Sequence, residues 1–216
     1  MDKNKLIEII KKARNTKRNF EQKFDLIINL KNLNLKKPEE NINTFLVLPY
    51  PIGKKIRVCA LVGDELASKA KECCDKVIHK DEFSKYNDKK LIKKLAREYD
   101  YFVAQGDLMV EIAKVFGKVL GPRGKMPNPK TGCIVGQSAN LKSLIEKLNR
   151  TISLRTKNEL VIKTIVGSER MSDEEIAENI LFVYNQLLHL LPQEKNNIRN
   201  IFIKLTMGKP VEVKDV

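Results

Sequence analysis

The stretch from Gly117 to Gly132, GKVLGPRGKMPNPKTG, holds four of the chain's ten glycines and three of its eight prolines, with Lys118, Arg123, Lys125 and Lys130 among them. Proline fixes φ and removes a backbone donor, so Pro122, Pro127 and Pro129 oppose both helix and central strand. Gly121 and Gly124 permit the positive φ that tight turns need. The expectation is a stiff loop displaying cations, and its chemistry is binding rather than catalysis. A surface connection with incidental charge is the plainer alternative. Three further groups carry what contact with RNA requires: cations for phosphates, flat rings for unstacked bases, and bared backbone for sugar hydroxyls. They are Lys23 with Phe24, Arg155 with Lys157, and Lys204 with Thr206, Met207 and Gly208. Phe24 also continues the apolar face of its strand, so a core position is open to it. Met207 beside a glycine at a strand end is harder to explain by burial.

Other chemistries have little to use. His79 and His189 stand alone, and Cys59, Cys73, Cys74 and Cys133 lack paired ligand spacing, which reads as free thiols in a reducing compartment rather than as a metal site. Gly121–Lys125 lacks the Gly-Lys-Ser/Thr ending of a phosphate-binding loop. The turn Val62-Gly63-Asp64-Glu65 places acids where a pyrophosphate would need bare amides. No catalytic constellation, cofactor or metal is expected. A net charge of +14 over 216 residues and a pI near 9.6 point to a polyanionic partner, nucleic acid before membrane surface. No apolar run reaches the roughly 18 residues of a membrane span, and the polar start does not read as a signal peptide. A cytoplasmic location is expected.

Two styles of element must position these groups. Residues 3–14 read as an amphipathic helix, and 23–31 as a half-buried strand with Phe24, Leu26, Ile28 and Leu30 on one face. Residues 44–48 give a second strand before the prolines at 49 and 51. From 56 onward apolar strands (56–62, 77–78, 101–104) alternate with helices opened by Asp64, Asp88 and Asp107, and a last helix carries Leu141, Leu144, Ile145 and Leu148. That order argues for a parallel sheet with helices on both faces. Residues 152–156 and 160–166 then read as a hairpin about 157–159. Ser172 and Glu175 form a capping box opening a long helix that Pro192 ends. Residues 198–206 and 211–213 alternate as strands. The fold expected is a discontinuous α+β domain with an antiparallel sheet, 1–51 and 151–216, interrupted by a Rossmann-like α/β domain, 52–150.

Leu120-Gly121-Pro122-Arg123-Gly124-Lys125-Met126-Pro127-Asn128-Pro129-Lys130 resembles the signature of the L-one family, the large-subunit ribosomal proteins of the lateral stalk. Lys23-Phe24-Asp25 resembles the family's opening strand and Thr206-Met207-Gly208 its closing motif, in order along essentially the whole chain. The short, lysine-rich termini resemble the archaeal branch. Two departures from the pattern are Ile27, where the family has a threonine, and the neighbourhood of Asn200, where it has a serine. The resemblance implies a non-enzymatic, cytoplasmic ribosomal protein, monomeric when free and without a cofactor. Its split domain would grip the stalk segment of the 23S-type rRNA beside the tRNA exit site, where deacylated tRNA leaves. It would also bind its own mRNA and repress translation. By position it implies Lys23, Phe24, Thr206, Met207 and Gly208 in the main RNA patch, with Arg123, Lys125 and Lys130 as a secondary contact on the insert. A nucleotide-binding or phosphotransfer enzyme built on the α/β insert is the competing reading.

Overall fold

The computed structural model describes residues 2–37, 40–137, 139–156 and 158–213, save the side chain of Asn87. The chain divides into two compact units, Met1–Lys54 with Arg150–Val216, and Lys55–Asn149. Among the described residues, no helix is long and apolar enough to cross a membrane.

The split unit is built on β1 (Lys23–Leu30), whose burial alternates strictly because Phe24, Leu26, Ile28 and Leu30 share one side of the pleat. β2 is Asn43–Val47, β7 Thr151–Arg155, β8 Val161–Ser168, β9 Ile198–Leu205 and β10 Val211–Val213. An antiparallel sheet runs in the order β10-β9-β1-β8, so the first strand of the chain lies between two of its last. Helices α1 (Lys3–Ala13) and α6 (Asp173–Leu190) supply Leu6, Ile10, Ile176, Ile180, Val183 and Leu187 to the core that Phe24, Ile28, Ile201 and Ile203 line. The capping box at Ser172 and Glu175 is formed, each side chain meeting the other residue's backbone N–H.

The expected hairpin about 157–159 does not form. β7 pairs with β2, while β8 pairs with β1. Thr156 explains the parting: its N–H donates to the Ile42 carbonyl (2.9 Å) and its hydroxyl accepts from the Ile42 N–H (3.0 Å), so β7 is sealed to β2 before the chain turns. Alternation marks both segments as strands but cannot name their partners.

Between Phe24 and Asp25 the β1–β8 register shifts, so that Ile165, Val166 and Gly167 face two residues of β1. Such a bulge frees backbone groups from the ladder. Asn179 of α6, fully buried, takes up the slack. Its amide donates to the Val166 carbonyl (2.8 Å) and the Tyr50 carbonyl (3.3 Å), and its oxygen accepts from the Tyr50 N–H (3.1 Å).

The inserted unit is a parallel sheet in the order β4-β3-β5-β6, from β3 (Val58–Val62), β4 (Lys76–His79), β5 (Tyr101–Gln105) and β6 (Ile134–Val135). All five residues of β3 are buried, as a strand covered on both faces must be. Leu61 and Ala104 pack with Ile92 of α3 (Lys89–Glu98) and Phe116 of α4 (Met109–Leu120) on one side. Ala60, Val62 and Val103 pack with Leu66 of α2 (Asp64–Cys73) and Leu148 of α5 (Leu141–Leu148) on the other. The α+β and Rossmann-like parts expected from the sequence are both present. Three local readings change. Gly63, not Asp64, occupies the N-cap of α2, with Asp64 already in the helix. A short 3-10 turn, Gly106–Leu108, precedes α4. Residues 117–120 extend α4, since Pro122 lies beyond the last helical residue and bars nothing before it.

Asn179→Leu keeps the helix but strands the Val166 carbonyl and both Tyr50 backbone groups. It should cost about 1–3 kcal/mol for each group left dry, read as a lower midpoint for the split unit in urea denaturation.

Candidate nucleic-acid interface

Because β1 is antiparallel to both neighbours, its first residue shares one end of the sheet with the last residues of β8 and β9. The structure therefore brings Lys23, Lys204, Thr206, Met207 and Gly208 together, although some 180 residues separate the two groups. The Thr206 N–H donates to the Lys23 carbonyl (3.0 Å) and the Lys23 N–H donates to the Thr206 hydroxyl (3.1 Å). The Met207 N–H donates to the side-chain oxygen of Gln22 (3.2 Å), a wholly buried residue whose amide in turn donates to the Thr16 carbonyl (2.8 Å). Lys204 donates to the Thr206 carbonyl (3.0 Å). This framework fixes the turn and leaves the Met207 side chain 56% exposed. Gly208 allows a close approach: a Cβ there would stand 3.1 Å from the Leu205 Cβ and 3.2 Å from both Asn15 Oδ1 and Thr16 Oγ1, so those neighbours would have to give way.

Phe24 is a correction. Its ring is fully buried, with the Arg14 guanidinium 5.1 Å above it, so it has no face to offer a base. Arg14 is held there by Asp173 (2.8 Å) and by the carbonyls of Glu169 and Met171. The aromatic ring exposed in the segment leading into β1 is Phe20, at 52%. Sequence reasoning passes over it because residues 14–22 carry no periodicity to mark them.

Lys23 is not a bare cation either. Its ammonium bonds Glu21 (2.7 Å) and the Gly53 carbonyl (2.8 Å). Glu21 also accepts from the Ser168 hydroxyl and pairs with Arg170 at 3.2 Å. The bonds from Lys23 and Ser168 draw the Glu21 carboxyl down to about 2. Gly53 has φ +67°, and a Cβ there would lie 2.5 Å from the Ser168 Cβ. Glu21, Gly53, Ser168 and Arg170 therefore belong to the site, and only pairing across strands could have found them.

Arg155 stands apart. It closes β7, and the chain continues into Val161, which is opposite Asn29 at the far end of β1, whereas Lys23 is opposite Ser168. The two ends of that ladder are roughly 23 Å apart at about 3.3 Å per residue. Arg155 lies instead over the Phe45 ring at 5.4 Å. Lys157 lies outside the described residues.

On the inserted unit the proline-glycine loop is mostly structural. Pro127 is buried and Met126 packs on the α3–α4 core. Lys125 donates to the Tyr99 carbonyl beyond the C-terminus of α3 (2.6 Å), and Arg123 reaches the Lys93 carbonyl (3.4 Å). At that helix end the Lys125 ammonium meets the negative end of the α3 dipole, a favourable placement. Lys130 is exposed. Gly124 and Gly132, at φ +65° and +76°, make the turns. The crevice between β3 and β5, where an open α/β sheet receives nucleotides, holds the Gln105 side chain, whose oxygen accepts from the Gly63 N–H (3.0 Å). All four cysteines are free thiols; burial pushes Cys59 up to about 12 and Cys74 up to about 11, which keeps them protonated and poor ligands.

The Glu21 carboxyl, lowered from 4.5 to about 2, contributes stability that is present above pH 4.5 and lost as pH falls towards 2. Glu21→Gln should flatten that part of the acid-stability curve, measured by thermal melts from pH 5 to 2.

Residues 10–209 match the model of the ribosomal protein L1p/L10e family. The chain is 39% identical to the large ribosomal subunit protein uL1 of Methanothermococcus thermolithotrophicus, over 99% of this chain and all of that protein. It is 41% identical to the uL1 of Methanococcus voltae, again over 99% of this chain and all of that protein. With the uL1 of Nanoarchaeum equitans it shares 43% over 96% of this chain and 98% of the other. The chain therefore belongs to the ribosomal protein L1p/L10e family, structural proteins of the large ribosomal subunit rather than enzymes.

Proposed function

We propose that the Lys23–Thr206–Met207–Gly208 end of the split sheet grips a preformed segment of large-subunit rRNA, the mobile lateral stalk beside the tRNA exit site. The observation that carries this reading is the Thr206–Gly208 turn, braced by Lys23 and Gln22 yet presenting an exposed Met207 beside the half-buried Gly208. A rigid main-chain surface can read a ribose-phosphate shape without reading base edges. Lys204 and Arg170 supply charge, and Phe20 replaces Phe24 as the ring on which a base stacks. Lys130 offers a secondary contact on the insert, where Arg123 and Lys125 mainly secure the loop. From this location on the ribosome the protein takes part in releasing deacylated tRNA. By binding a similar fold in its own mRNA it represses its own translation. It acts as a monomer when free.

Affinity for stalk RNA should fall linearly in log–log form with salt, with a slope set by roughly 4–8 neutralised phosphates; a flat response would overturn the reading. Met207→Ala should weaken binding at every salt concentration with the slope unchanged. Phe20→Ala should cost about tenfold in Kd, since stacking is worth ~1–3 kcal/mol per base. Phe24→Leu should leave Kd unchanged and instead lower the midpoint of denaturation.

A further inference from the structure

The inserted unit also carries a cavity. It has a volume of about 280 Å³ and is lined by Lys76, Lys85, Tyr86, Leu91, Lys94, Leu95 and Glu98. Lys76 opens β4, an edge strand of the parallel sheet. Leu91, Lys94, Leu95 and Glu98 lie on α3, and Lys85 and Tyr86 on the 3-10 turn Lys80–Asn87. Its size falls just short of the ~300–1,000 Å³ typical of drug-sized ligands. Its chemistry is mixed in a particular way. Tyr86, half-buried and resting on Phe116 at 5.6 Å between ring centroids, lines it together with Leu91 and Leu95. Leu91 is 45% exposed, between Lys90 and Ile92 in sequence. Three ammonium groups oppose one carboxylate, and among the described residues Lys85 alone of the three has a close acid, Glu82 at 3.2 Å. Beyond the rim, α3 adds Lys89, Lys90, Lys93 and Arg97, all exposed.

An apolar surface ringed by cations fits a ligand with one flat apolar face and an attached anion. We infer that this cavity receives one unpaired nucleotide of a single-stranded RNA segment, its base against Leu91 and Tyr86 and its phosphates on Lys76 and Lys94. The continuing row of cations along α3 favours a strand over an isolated nucleotide, because a strand presents phosphates beyond the cavity while a free nucleotide does not. This contact lies on the inserted unit and is argued independently of the one proposed for the split unit.

The test uses the full chain and a short oligouridylate, fluorescently labelled at one end and too short to fold. Lys76→Ala/Lys94→Ala should weaken binding about tenfold and reduce the salt slope by ~0.7 for each phosphate no longer neutralised. Leu91→Ser, at an exposed position, should weaken binding with the slope intact. Lys69→Ala/Lys142→Ala, an equal loss of charge on α2 and α5 across the sheet, should leave affinity within twofold. Met207→Ala should not change oligouridylate binding. Equal losses from both lysine pairs would overturn the inference and leave a diffuse charge effect. Displacement of the oligomer by uridine monophosphate at equal concentration would also overturn it, making the cavity a site for a free mononucleotide.

Discussion

A single buried amide sets the shape of the candidate interface. Asn179 sits within α6, where an unpaired carboxamide would be costly, and it bonds the one β8 residue that the bulge leaves out of the ladder. With Val166 satisfied, Gly167 and Ser168 resume the ladder opposite Phe24 and Lys23, which brings the Ser168 side chain to Glu21 and Gly53. The same amide holds both backbone groups of Tyr50, so the segment leading to Gly53 is fixed to the same helix. Bulge, linker segment and strand start are thus one hydrogen-bonded assembly.

What that assembly presents is modest in charge for so basic a chain. Lys23 is shared between a carboxylate and a carbonyl, Arg170 meets Glu21, and Lys204 turns back on Thr206. Fixed main chain and a thioether are left foremost. In the proposed function such a surface selects by shape, while the remaining cations contribute attraction without discrimination. The proline-glycine loop, by contrast, commits two of its three singled-out cations to carbonyls of its own unit. Its chemistry secures the return from α4 to β6.

Elements with strong periodicity were legible. The alternation in β1 and β9, the capping box at Ser172 and the all-apolar run of β3 each set local structure through a pattern inside one segment. Features that depend on distant partners were not. Thr156 chose β2 over β8 for β7, and the Arg14 guanidinium that covers the Phe24 ring arrives from another element. A two-residue strand such as Ile134–Val135 carries no period and is visible only through its pairing with Ala104 and Gln105. At the candidate site, the residues on the two strand ends were readable as cation, methionine and glycine. Their braces, Gln22, Glu21 and Ser168, were not, because a polar residue next to a strand looks the same whether it is solvated or structural.

The placement of β1 between β8 and β9 has a consequence for the newborn chain. Leu26, Ile28 and their neighbours leave the peptidyl-transferase centre long before Val161 is decoded. At ~5–20 residues per second the wait is roughly 7–26 s. Throughout it the first strand has no lateral partner, while the insert, with every one of its strands already made, can close. Vectorial synthesis therefore orders assembly from the middle outward, and chaperone cover is most needed by the earliest hydrophobic segment rather than by the latest.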